Sequence, residues 1–181
     1  MKRRSRNIFV ETDEYKRKQR SCDITIQDMA NTYSQMYVQI VFAVLGRANL
    51  ISEIHRIEIE KYICGIISNK KCKPLALFCN PDHSHILIGL HPTISVSDIT
   101  RDIKASSSKF INDKKLGLGK FAWQDGFGSF TYSKSQIDNV AKYILNQPEH
   151  HKKRTFREEY LSILQKNEID FDERYLFEWY D

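Results

Sequence analysis

The sequence predicts an α+β fold: an antiparallel sheet of ferredoxin-like order, with helices packed mainly on one face and a further helix at the C-terminus. Three observations lead there. β-Branched and aromatic runs alternate with helical periodicities in the order strand, helix, two strands, helix, strand, helix. Two of the apolar runs are joined only by Asn80, Pro81 and Asp82, which favour a tight turn, so they pair as a hairpin. Finally, 181 residues with 41% hydrophobic and 12% aromatic side chains suffice for one core but are too few for two ordinary domains.

The elements follow in order. Residues 1–28 are charge-rich and weakly periodic, with Lys2, Arg3, Arg4 and Arg6, then Lys16, Arg17, Lys18 and Arg20. They read as a basic, flexible extension, and residues 29–181 as the domain. Met36 to Leu45 is β-branched and aromatic and ends at Gly46, which predicts a central strand. After Ser52, the spacing of Ile54, Ile57, Tyr62, Ile63, Ile66 and Ile67 is helical. The hairpin comprises Leu75–Cys79 and His83–Leu90. Ser95 and Asp98 form a capping-box pattern ahead of a second amphipathic helix reaching about Asn112. The segment from Leu116 to Ser133 is aromatic and punctuated by glycine, which predicts a loop and then a short strand over Ser129–Tyr132. Ser133 caps a third helix, Lys134–Asn146, and Pro148 biases Gln147 away from the α region. Thr155 and Glu158 cap a last helix to about Lys166, within a C-terminal part that is acidic and aromatic at its end.

The net charge of +5 conceals an asymmetry: Glu168 to Asp181 holds six acidic side chains against the single Arg174, leaving the rest of the chain more basic. A polyanionic partner is expected. Cys22, Cys64, Cys72 and Cys79 show no CxxC spacing and read as reduced thiols. There is no apolar run of membrane-spanning length and no signal-peptide core, so a cytoplasmic protein without membrane contact is expected. No strand carries the aromatic signature of an RNA-binding ferredoxin-like module.

Two constellations carry chemistry. His83 and His85 stand two apart on a strand, so the pleat turns both imidazoles to one face, where they can bind an ion together. Ser84 between them faces the other way. Tyr143 and Gln147, four apart, share one side of the third helix. Taken alone, each pair is more often structural than functional, but their conjunction is informative.

PDHSHILIGL (Pro81–Leu90) together with YILNQPEHH (Tyr143–His151) resembles the HUH single-tyrosine transposases of the insertion sequence 200/605 type, which include the REP-associated tyrosine transposases. Residues 29–47, 102–112 and 123–133 share the likeness, so it covers nearly all of 29–181. The resemblance implies a metal-dependent enzyme that cleaves and rejoins single-stranded DNA at hairpin-containing element ends. In it, Tyr143 is the nucleophile of a covalent 5′-phosphotyrosine, and His83, His85 and Gln147 hold Mg²⁺ or Mn²⁺. It further implies a homodimer, with Tyr143 of one subunit able to serve the histidines of the other, or a monomer, as in relatives that act on repeated palindromes. The alternative is a domesticated or inactive relative that binds hairpin DNA without transposing it. Single-stranded DNA would be gripped by cations and by bases stacking on aromatic rings, for which Arg101, Lys104, Lys109, Lys134 and Trp123 are the candidates. His150 and His151 are expected in a phosphate-contacting or solvated role.

Overall fold

A computed structural model describes residues 33–46, 51–117 and 119–179; the expected boundary after residue 28 and Cys22 lie outside them. From Met36 onward these residues belong to one unit. Its strands are β1 (Tyr37–Ala43), β2 (Lys73–Cys79), β3 (His83–Gly89) and β4 (Gly128–Tyr132), in the sheet order β2-β3-β1-β4 with every neighbour antiparallel. The helices are α1 (Glu53–Asn69), α2 (Val96–Asp113), α3 (Ile137–Leu145), the single turn α4 (Gln147–His150) and α5 (Phe156–Lys166). The chain therefore runs β-α-β-β-α-β, the expected α+β order, with α3 to α5 appended.

β1 and β3 are buried almost throughout, which is why both read as continuous apolar runs and not as alternating ones. One face carries Phe42 and is covered by the α1 and α2 side of the molecule. Trp123 meets Phe42 edge-on there, with ring centroids 4.7 Å apart. The opposite face carries Val41, Ala43, Leu87, Ala76, Phe78 and Phe130, and is closed by Ile137 and Ile144 of α3 and by Phe156, Tyr160 and Leu164 of α5. The C-terminal helices thus supply the second layer. Pro74 is tolerated because β2 is an edge strand, and the pairing with β3 shifts beside it.

The predicted caps form. Ser52 and Ser95 accept the backbone N–H groups of Ile54 and Asp98, and Thr155 and Glu158 complete a reciprocal capping box on α5. The third predicted helix divides: Lys134–Gln136 is a 3₁₀ turn with Ser133 and Gln136 as its capping box, and α3 begins at Ile137. Gln147 departs from expectation. It opens α4 and does not leave the helical region, because Pro148 falls in the first turn, where its missing N–H has no helical partner to lose.

Two contacts fix where α5 lies. At Gly128 a Cβ would stand 2.7 Å from the Tyr160 hydroxyl and 2.9 Å from a carbon of its ring, so only glycine admits α5 this close to β4. Beyond α5, Gln124 ties the C-terminal segment down. Its Nε2 donates to the carbonyls of Val44 and Glu178, both at 2.9 Å, and its Oε1 accepts the Glu178 N–H at 2.7 Å.

Candidate active site

The register of β1 against β3 sets His83 opposite Ala43 and His85 opposite Val41, so both imidazoles enter the face that α3 to α5 cover. Both are fully buried, with ring centroids 5.0 Å apart. His83 stacks on Phe156 of α5 at 3.8 Å, nearly parallel. Its Nδ1 donates to Asp82 Oδ1 at 2.7 Å, which fixes the tautomer and turns the Nε2 lone pair toward the pocket. Burial pushes His83 down to about 4, with Asp82 pulling the other way, so the ring is neutral near pH 7. His85 Nδ1 lies 3.0 Å from Gln39 Nε2, and Gln39 Oε1 accepts the Tyr132 hydroxyl at 2.8 Å.

α3 delivers Tyr143 to the same place. Its ring lies edge-on to His85 with centroids 6.1 Å apart, and both residues belong to one chain. Its hydroxyl donates to Glu159 Oε1. Gln147 is fully buried one turn further on; its Nε2 donates to Glu159 Oε1 at 2.6 Å and its Oε1 accepts from Asn80 Nδ2 at 3.1 Å. Burial, reinforced by the Glu159 charge, pushes the Tyr143 phenol well above its ordinary range. Burial alone would raise the Glu159 carboxyl too, but the neighbouring His85 and His151 outweigh it and lower its pKa.

Glu159 was not foreseen from the sequence. It sits on the inward side of α5 with Phe156, Tyr160 and Leu164, and its place on that apolar stripe signals burial but not the partners it meets. His151 is the second surprise. It turns inward, half-buried, with Nε2 3.2 Å from His83 Nε2 and 3.1 Å from Glu159 Oε2, and the carboxylate raises its pKa against the opposing effect of burial. Of the two roles expected at this position, phosphate-contacting or solvated, the solvated one is corrected.

His83, His85 and Glu159 form the group suited to a metal: one ligand atom from each lies within 4.8 Å of the others. Two buried atoms of this group, His85 Nε2 and Glu159 Oε2, have no hydrogen-bond partner, which is the condition a cation would relieve. Imidazole nitrogen with carboxylate oxygen suits a divalent ion, so these side chains fit one.

A cleft of about 680 Å³ opens over Tyr143, Tyr132, His151 and Glu159, and Lys153, Arg154 and Lys166 line it. The cations expected from sequence stand elsewhere. Arg101 and Lys109 are exposed on α2, and Arg101 is paired with Asp98 and Asp102. Lys104 spends its ammonium on the carbonyls of Gln124 and Gly126, on the Phe42 side of the sheet. Lys134 is exposed beside the Tyr37 ring. Trp123 is 6% exposed, wedged between Phe42 and Phe121, and donates to Ser107 Oγ at 2.9 Å, so it offers no face to a base. Accordingly Trp123→Ala is expected to cost about 3–5 kcal/mol of stability in denaturant titration. An unfolding midpoint unchanged by the substitution would place the indole outside the core.

Among the described residues no helix is long and apolar enough to cross a membrane. A search of the curated proteins finds no match. Solved structures share the fold, and two of them are transposases by description. One is a candidate transposase from Deinococcus radiodurans R1, 18% identical, covering 67% of this chain and 98% of its own, with a TM-score of 0.52. The other is a REP-associated tyrosine transposase bound to a REP hairpin, 15% identical, covering 70% of this chain and 74% of its own, also at 0.52. The family model described as "Transposase IS200 like" matches residues 32–147, which include both histidines, the tyrosine and Gln147. With its whole sheet, its histidine pair and its tyrosine helix inside that match, the chain belongs to the IS200-like transposase family.

Proposed function

We propose that this chain cleaves and rejoins single-stranded DNA at hairpin-containing ends, with Tyr143 as nucleophile. The observation that carries the reading is the meeting of the Tyr143 phenol with His83 and His85 of its own chain around one carboxylate. In the reaction, Tyr143 Oη bonds to phosphorus and the bond to the 3′ oxygen breaks, leaving a 5′-phosphotyrosine and a free 3′ hydroxyl. The proton Tyr143 gives up balances the one the departing oxygen takes up. Because the phosphotyrosine retains the bond energy, another strand's 3′ hydroxyl can reverse the step without ATP.

His83 and His85 would hold a divalent ion, Mg²⁺ or Mn²⁺, with Gln147 beside them. When bound, such an ion neutralises charge on the scissile phosphate and orients it. Asp82 fixes the His83 ring, Gln39 and Tyr132 fix that of His85, and Phe156 shields the pair from water. Lys153, Arg154 and Lys166 are the cations best placed to receive the strand's phosphates, ahead of Arg101, Lys104, Lys109 and Lys134. Hairpin DNA as substrate is supported by the REP hairpin on the structural relative. A homodimer would carry two such sites, and the contact of Tyr143 with His85 does not require exchange between subunits.

The protein, incubated with hairpin single strands from the flanks of its gene and Mn²⁺ or Mg²⁺, is expected to form a protein–DNA adduct that survives denaturing electrophoresis. Tight hairpin binding with no adduct under any divalent ion would favour a binding-only relative.

A further inference from the structure

We propose that Glu159, on the C-terminal helix and outside the segment matched to the family, is the third protein ligand of the divalent ion, and that Gln147 orients it from behind. This rests on reading His83 and His85 as the imidazole ligands.

The hydrogen-bond network fixes the orientation of each group. His83 gives its Nδ1 proton to Asp82, so Nε2 is an acceptor, and Asn80 Nδ2 at 2.9 Å must be the donor. The same amide group of Asn80 donates to Gln147 at 3.1 Å, which therefore presents Oε1 there and Nε2 to Glu159. Flipping Gln147 would set nitrogen against the Asn80 amide and oxygen against a carboxylate oxygen, two repulsive contacts in a buried site. The amide oxygen expected to bind the ion thus already accepts from Asn80, whereas at His83 Nε2 an ion would displace that same Asn80 donor.

Glu159 has the opposite profile. Its Oε1 takes the Tyr143 hydroxyl and the Gln147 amide, while its buried Oε2 has no hydrogen bond although His151 Nε2 lies 3.1 Å away. That Oε2 is 3.7 Å from His83 Nε2, and Oε1 is 3.5 Å from His85 Nε2. His85 Nε2, the other orphan, becomes a free lone pair once the Gln39 amide turns its oxygen to Nδ1–H, a change the Tyr132 hydroxyl accommodates by accepting where it now donates. A carboxylate oxygen also suits a hard cation better than an amide does. One carboxylate then joins nucleophile and ion, one oxygen to each.

The test is Mn²⁺ binding to the full chain without DNA. Glu159→Gln is expected to weaken binding more than about a hundredfold, and Gln147→Ala only about tenfold, as for a group behind the ligands. The reverse order overturns the proposal. Electron–nuclear double resonance on the wild-type chain makes the result independent of whether the variants fold. Bound Mn²⁺ should couple to ¹³C in carboxyl-labelled glutamate and not in amide-labelled glutamine, together with two imidazole nitrogens. Nitrogen couplings with the glutamine label responding overturn the Glu159 assignment alone, whereas loss of the nitrogen couplings overturns the histidine reading beneath it. Strong Glu159-dependent binding without any DNA adduct would leave the ligand set standing and remove the proposed strand transfer.

Discussion

Tyr143→Phe is expected to abolish the denaturation-resistant DNA adduct altogether while leaving hairpin binding and thermal unfolding close to wild type. The substitution removes one oxygen and keeps the ring, which packs at the margin of the cluster formed by Ala76, Phe78, Leu87, Ile137 and Ile144. A phenol is ionised only to about one part in a thousand at neutral pH. Burial and Glu159 reduce that further here. The resting site therefore keeps the Tyr143 phenol neutral, and if it is the nucleophile its activation must accompany substrate binding. Tyr132 lines the same cleft, with its hydroxyl on Gln39. An adduct of undiminished yield in the phenylalanine variant would move the nucleophile to Tyr132 or elsewhere, and peptide mapping of the adduct would locate it.

Loss of either imidazole is expected to be almost as severe. His83→Ala or His85→Ala should reduce cleavage by about a thousandfold or more, equivalent to roughly 4 kcal/mol of transition-state stabilisation. Hairpin binding measured by gel shift without divalent ions should survive, because the cations along the cleft are untouched. The two variants differ in what they leave behind. His83→Ala strips the partner from Asp82 and opens a void against Phe156, whereas His85→Ala leaves Gln39 still held by Tyr132. The His83 variant should accordingly be the less stable. Equal and large losses of stability, with cleavage per folded molecule unchanged, would make both histidines structural.

Local chemistry made much of the fold legible. The β1, β2 and β3 runs, the turn at Asn80 to Asp82 and the caps at Ser52, Ser95 and Thr155 all carry their own signals within a few residues. That His83 and His85 share a face follows from the pleat alone. What the sequence hid is combinatorial. Glu159 belongs to the site because α5 folds back over β1 and β4, and no spacing within the helix tells an acid that meets two histidines from one that meets water. Gln39 and Tyr132 are similar cases, ordinary polar residues until pairing across the sheet places them behind His85. Trp123 misled in the opposite direction: an aromatic beside glycines looks available for stacking, yet its bridge to Val44 draws it into the core. The lysines of α2 were conspicuous as charges, but the helix that carries them lies across the sheet from the histidines.

Gly128 has a reach beyond its own strand. Since the Tyr160 ring rests where a methyl group would stand, the distance between the last helix and the sheet is set by an atom that is absent, and Tyr160 directly follows Glu159 in the chain. Alanine at 128 would therefore act as a shim, lifting the carboxylate off the tyrosine and imidazoles without altering any group that takes part in the chemistry.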